Sequence, residues 1–185
     1  MIRMVWAPAA LSLMLLSGCS TTAGQPQVKQ LHQEVSQLNQ QMQRLTSQAS
    51  AVEIQGQLNG HSQQGAWLLP QANTPVELQT QAGTLRLSLS RVEAEANGSR
   101  ANLTLQTRDN TPLPGLEATV VWGQLDPATG KPLEADSLTQ TIRIPASLTP
   151  RSSVIVPLRL GGITPDQLGY VRIHQVLAKT AVPTP

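Results

Sequence analysis

The chain has 185 residues, with 13 Lys and Arg against 11 Asp and Glu, one cysteine and no phenylalanine. Its basic residues stand singly, so no cluster can neutralise a row of phosphates, and nucleic acid is excluded as a partner. A single thiol rules out an internal disulfide, while a hydrophobic content of 39%, supplied mainly by Leu, Val, Ile and Ala, allows an aliphatic core.

The N-terminus has the build of an export signal. Met1-Ile2-Arg3 is a short positive segment, and the apolar run from Met4 to Leu16 follows it. That run falls short of the ~20 apolar residues needed to cross a bilayer and has the length of a signal-peptide core. Small residues Ser17 and Gly18 then precede Cys19. The stretch Leu16-Ser17-Gly18-Cys19 resembles the bacterial lipobox, in which the leader is cut before the cysteine and the thiol is diacylated. The resemblance implies a signal peptide over 1–18, lipidation at Cys19 and a membrane as the first partner. Each buried methylene contributes ~0.8 kcal/mol, so two or more chains anchor stably. Residue 20 is Ser rather than the Asp associated with inner-membrane retention. By the same resemblance, the expected location is the periplasmic face of the outer membrane.

Residues 19–27 are small, polar and broken by Gly24 and Pro26, as in a flexible linker. From Val28 the pattern changes. Apolar residues recur at Leu31, Val35, Leu38, Met42, Leu45, Ala49 and Val52, in alternating steps of three and four. This is a heptad seam with Val28, Val35, Met42 and Ala49 at a and Leu31, Leu38, Leu45 and Val52 at d. It predicts a helix over 28–55, about 40 Å long at ~1.5 Å per residue. Two uses of the seam are open: homo-oligomerisation through residues 28–53, or packing on the chain's own globular domain. Membrane confinement favours the first by raising effective concentration.

Beyond Asn59-Gly60-His61 the apolar period becomes two. Short strands are expected at Ala66–Leu69 and Val76–Gln79, then a long one over Thr84–Ala96. In that strand Leu85, Leu87 and Leu89 alternate until the phase slips at Ser90-Arg91, the mark of a β-bulge. Asn97-Gly98 signals a hairpin, and Ala101, Leu103 and Leu105 alternate on the return. Further strands are expected at Leu116–Trp122, Leu138–Ile144, Val154–Leu160 and Tyr170–Val176. Pro157 confines its strand to an edge or a break, and Thr164-Pro165 opens one helical turn. Strands at this spacing without intervening amphipathic helices predict a mainly β fold. The expected architecture is an antiparallel β-sandwich over 60–178, laid out like an immunoglobulin domain, with a small barrel as the alternative. Residues 179–185 are expected to be a disordered tail.

Several segments carry a family resemblance. They are the lipobox, the Gln-rich heptad helix, Trp67-Leu68-Leu69-Pro70-Gln71-Ala72-Asn73-Thr74-Pro75, Gly83-Thr84-Leu85-Arg86-Leu87-Ser88-Leu89, and Thr164-Pro165-Asp166-Gln167-Leu168-Gly169-Tyr170-Val171-Arg172-Ile173-His174. Together they resemble the YajI-type lipoproteins of enteric bacteria over nearly the whole chain. The resemblance implies a lipoprotein with a β domain and carries no activity with it.

The sequence offers few residues in chemically suggestive patterns. His32, His61 and His174 have no second ligand at a metal spacing, and no nucleophile elbow or phosphate-cradling loop occurs. Glu93 and Glu95 share one face of a strand, the pattern of a solvated edge. No catalytic residue, metal site or cofactor is therefore assigned. Trp122 lies on a clean apolar phase and is read as core. Trp67 and Tyr170 flank loops and mark the expected binding surface. The expected function is a non-enzymatic interaction or scaffold module bound to an envelope protein or glycan. The alternative is an envelope enzyme or its accessory subunit.

Overall fold

Alternation of apolar and polar residues builds most of the molecule, as seen in a computed structural model that describes residues 24–60 and 65–179, with side chains from residue 28. The signal peptide, Cys19, the linker through residue 23, His61 and the tail from residue 180 lie outside the described residues.

One helix, α1 (Gly24–Gly60), precedes eight strands: β1 (Gly65–Leu68), β2 (Val76–Thr80), β3 (Gly83–Glu95), β4 (Gly98–Thr107), β5 (Leu116–Gly123), β6 (Leu138–Ile144), β7 (Ser153–Gly161) and β8 (Tyr170–Ala178). The helix starts four residues before Val28, inside the expected linker. Pro26 is tolerated there because the first-turn N–H groups have no intrahelical acceptor anyway. The helix also runs past Gly56, although a glycine there costs about 0.5–1 kcal/mol relative to alanine and a Cβ would meet nothing within 4 Å. The chain divides into two units, residues 1–41 and 42–185. Among the described residues the first unit is the N-terminal part of α1. The second contains the rest of α1 and all eight strands.

The strands form two antiparallel sheets in the orders β1-β8-β5-β6 and β2-β3-β4-β7. Their inner faces share one core, with Leu85, Leu87, Leu103, Leu105 and Leu158 from one sheet against Leu68, Val120, Val171 and Ile173 from the other. This is the expected sandwich. The immunoglobulin strand order is not found: β2, β3 and β4 form a three-strand meander, whereas the immunoglobulin arrangement ABED/CFG keeps at most two consecutive strands in one sheet.

Local details follow the sequence closely. Ser90 pairs with Asn102 and Glu93 with Arg100, so Arg91 and Val92 together oppose Ala101, and Arg91 takes a positive φ of 51°. This is the bulge that lets the apolar phase slip. Glu95 pairs with Gly98, so the hairpin loop is Ala96-Asn97, one residue earlier than the Asn-Gly signal. Gly98 serves close approach instead, since a Cβ on it would fall 2.3 Å from the Leu160 carbonyl oxygen. Pro157 sits on β7, which pairs only with β4 at a sheet edge. Thr164 closes a single turn by accepting from the Gln167 and Leu168 amides, both at 3.0 Å.

Candidate functional site

The C-terminal part of α1 docks on the β domain through amides. β1 is an edge strand, and an edge leaves backbone groups without partners. Side chains of α1 take the place of a further strand. Asn59 accepts from the Trp67 amide at 2.9 Å and donates to the Trp67 carbonyl at 2.8 Å. Gln55 accepts from the Leu69 amide at 2.8 Å and donates to the Thr74 carbonyl and hydroxyl at 3.2 and 3.1 Å. Gln48 adds a longer bond to the Ala72 carbonyl at 3.4 Å. Gln55 is buried, and its hydrogen bonds are what make burial of an amide tolerable.

An apolar cluster sits beneath this docked face. Ala51, with Ile54 and Leu58 beside it, covers Trp67, Leu69, Ala72 and Tyr170. The rings of Trp67 and Tyr170 are 5.1 Å apart and tilted by 55°, a favourable aromatic geometry. Only 7% of Trp67 and 1% of Tyr170 is exposed. The expected binding surface at these two residues is therefore not formed, because the helix already covers both rings. Burial pushes the Tyr170 hydroxyl up from the ordinary range of a phenol. That hydroxyl packs over Gly123, where a Cβ would come within 3.1 Å. Trp122 is buried as expected, and its indole N–H donates to the Gly161 carbonyl at 3.1 Å.

The heptad seam lies on a different face of the same helix. Successive residues are turned by about 100°. Gln48 and Ala51 precede the a and d positions Ala49 and Val52 by one residue, and Gln55 and Leu58 continue their stripe in steps of four and three. This stripe is therefore about 100° from the seam. Asn59, seven residues after Val52, docks in line with the seam just beyond its end. Within the first unit Val28, Leu31, Val35 and Leu38 are all exposed, and within the second so are Met42, Leu45, Ala49 and Val52. Exposure reaches 63% at Met42 and 66% at Leu45, falling to 39% at Val52. Within the second unit the seam residues are not what packs on the β domain, contrary to that alternative: the domain is held there by Gln48, Gln55 and Asn59 together with Ala51, Ile54 and Leu58. No helix among the described residues is long and apolar enough to cross a membrane. The seam is a stripe, the pattern of a surface awaiting another helix.

The remaining chemistry-bearing residues are occupied elsewhere. His32 is exposed on α1, its Nδ1 2.7 Å from the Val28 carbonyl oxygen. Glu93 pairs with Arg100 and Glu95 with Arg159, so the two carboxylates on β3 are committed to different cations. A cleft of about 780 Å³ is lined by Ser47, Ile54, Gln71, Asp126, Thr129 and Asp166, among others. Its Asp126 carboxylate accepts from the Ala128 and Thr129 amides at 2.8 and 3.0 Å. Those bonds, Thr129 foremost, hold it below the usual carboxylate range, the opposite of what a general acid needs. Among the described residues no group of three His, Cys, Asp or Glu is placed to hold a metal.

Sequence reasoning missed Gln48, Gln55 and Asn59. The available signal was a pair of glutamines seven residues apart beside the seam, Gln48 and Gln55, in a helix already rich in glutamine.

Fold and surface thus define a class: an eight-stranded β-sandwich with an N-terminal helix that docks by its amide face and exposes an apolar seam. More particularly, the chain belongs to a family described as a protein of unknown function (DUF3251), which matches residues 22–182. It is 41% identical over 165 residues to the uncharacterised lipoprotein YajI of Escherichia coli strain K12, covering 89% of this chain and 90% of that protein. The solution NMR structure of YajI from Escherichia coli aligns with a TM-score of 0.69 at 38% identity, over 75% of this chain and 82% of that one. The Salmonella enterica trimeric lipoprotein SadB shares the fold at a TM-score of 0.54 and 20% identity, over 85% and 84% of the two chains. The family is thus one of lipoproteins whose activity is not assigned.

Proposed function

We propose that this chain is a lipid-anchored protein of the bacterial envelope that works by assembly rather than by catalysis. In this reading Cys19 carries the lipid, and Ser20 directs the protein to the periplasmic face of the outer membrane. The helix associates with copies of itself along Val28–Val52, and the β-sandwich is presented to an envelope protein or a glycan. The observation that carries the proposal is the seam: eight regularly spaced apolar positions, all exposed, on a helix whose own domain is held by another face.

Geometry favours a parallel arrangement. Anchors at the N-termini place every copy in one bilayer with its helix leaving in the same direction. β-Branched residues at a with Leu at d suit two parallel strands, and Met42 and Ala49 relax that preference. SadB, of the same fold, is described as a trimeric lipoprotein, which agrees with assembly of this kind. The docked face and the seam are compatible because they occupy different sides of the helix.

The single native cysteine makes a direct test simple. With Cys19 acylated, a Met42→Cys substitution puts a thiol at an a position, and parallel copies bring two such thiols together. Disulfide-linked dimers should appear in the oxidising periplasm with Met42→Cys and be scarce with Arg44→Cys, which lies off the seam between Met42 and Leu45. Equal crosslinking at both sites, or none at either, refutes the seam. The anchor has its own check: Cys19→Ser should abolish palmitate labelling.

A further inference from the structure

Among the described residues four arginines are paired with carboxylates, and among those that are not, Arg172 stands in a built setting. Arg100, Arg108, Arg143 and Arg159 each lie beside a carboxylate, Glu93, Glu77, Glu117 and Glu95 respectively. Arg172 on β8 has no such partner, and its Nε–H is buried without a hydrogen bond. Yet its guanidinium is held in place. The group stacks over the Trp67 ring, 4.9 Å from the centroid, an arrangement that orients a planar cation. It passes over Gly65, where a Cβ would sit 3.3 Å from Nε and 2.9 Å from the Ile173 carbonyl oxygen. No acid occurs on β8 or β1, and the acids of the neighbouring strands are engaged elsewhere, Glu77 of β2 with Arg108 and Glu117 of β5 with Arg143.

Arg172 opens onto a notch of about 540 Å³, where the end of β2 and its turn face β8. Its polar lining is Gln79, Thr80, Gln81, Arg172, His174 and Gln175. Hydrogen bonding turns two amides of this lining toward donation. The Gln79 carbonyl oxygen is taken by the Thr84 hydroxyl at 2.9 Å, and that of Gln175 by the Thr119 hydroxyl at 3.0 Å. Both amides are left with their NH₂ groups to offer. Thr80 is already spent, donating to the Gly83 carbonyl at 2.8 Å and accepting from the Ala82 amide at 3.1 Å. His174 is held neutral more strongly than usual, by burial first and by Arg172 second. Across the strands it faces Gly65 on β1 and Thr119 on β5, neither charged.

We infer that this notch is a carboxylate-binding site, with Arg172 as the bidentate donor and the amides of Gln79 and Gln175 as its flanking donors. An ionised carboxylate is acceptor-only and matches the fork of an arginine in both spacing and charge. The ligand is an acidic group small enough for the notch: a free organic acid, or a carboxylate on a peptide. The site is independent of the helix seam and stands whether or not the chain self-associates.

The test is a titration of the folded chain by NMR, following Arg172 Nε–H and the His174 ring. Sodium acetate is the free-acid probe, and a short acetylated peptide ending in a free carboxylate is compared with its amidated twin. Sodium chloride controls for ionic strength. Acetate should give a saturable shift at both groups and raise the pKa of His174, because a bound anion favours the imidazolium. Stronger binding of the free-ended peptide than of acetate identifies a peptide source; the reverse order identifies a small acid. Arg172→Gln should weaken the response about tenfold or more, and Arg172→Lys should keep only part of it. A response no larger than that to chloride, or one unchanged in Arg172→Gln, overturns the site. The wild-type titration decides even if a variant fails to fold.

Discussion

The two faces of α1 reverse the usual arrangement of an amphipathic helix. The stripe Gln48, Ala51, Gln55 and Leu58 holds its own β domain, while the seam from Val28 to Val52 is exposed. In most surface helices the apolar stripe faces the core. Here the docked face combines Ala51, Ile54 and Leu58 over the aromatic pair with amides that satisfy backbone groups of β1 and of the segment after it. These contacts leave the apolar seam free for another helix. Polarity alone therefore does not say which face of a helix belongs to its own domain; the chemistry of the partner surface decides.

The two faces should respond differently to substitution. The largest expected effect is on assembly. Leu38→Asp with Leu45→Asp removes two d positions, each worth about 1.5–3 kcal/mol when buried. Sedimentation of the double variant should show self-association weakened by about 100-fold or more, with thermal unfolding of the β domain unchanged. A variant that still assembles breaks the division between the faces.

On the docked face the order reverses, with stability lost and assembly retained. Gln55→Ala leaves the Leu69 amide and the Thr74 carbonyl without this partner. A buried unsatisfied group costs about 1–3 kcal/mol, so denaturant unfolding should show a loss of about 2–4 kcal/mol. Asn59→Ala frees both backbone groups of Trp67 and should lose about 1–3 kcal/mol, since its site is only partly shielded. Gln40→Ala, on an exposed turn of the same helix, should change stability by no more than about 0.5 kcal/mol.

The smallest expected effect is a pH dependence at His174. Its folded pKa lies below the ordinary value of 6.5, so the unfolded chain binds the proton first as pH falls. This contribution makes stability drop as pH falls below about 6.5, level off beneath the folded pKa and vanish at high pH. Replacing His174 with Gln should flatten that part of the stability profile, as read by urea unfolding at several pH values.

Much of the β domain was legible in the sequence. Leu85, Leu87 and Leu89 fall on one face because strand side chains alternate, and the slip at Ser90-Arg91 marks the bulge because a one-residue offset reverses the face. The hairpin was legible to within one residue. Asn97-Gly98 announced it, but Gly98 is demanded by the approach of Leu160 from β7, a strand some sixty residues further on. Trp67 and Tyr170 misled because each flanks a loop, a position that shows nothing of a helix from earlier in the chain lying across it. The carboxylate notch was invisible for a related reason. An arginine on a strand is ordinary, and its lack of a partner becomes a property only when Trp67, Gly65, Gln79 and Gln175 are brought around it.

By itself the sequence determined whatever depends on near neighbours along the chain: a helix with a heptad seam, strands with their inward faces, a bulge, an edge strand at Pro157, and the pattern at Cys19 that resembles a lipidation signal. These follow from periodicity and local backbone sterics, which a few consecutive residues are enough to set. Tertiary structure decided which face of α1 docks, which aromatics are covered, how the eight strands divide between two sheets and which groups surround Arg172. Each of these depends on groups far apart in the chain meeting and satisfying, or failing to satisfy, one another's hydrogen bonds and charge.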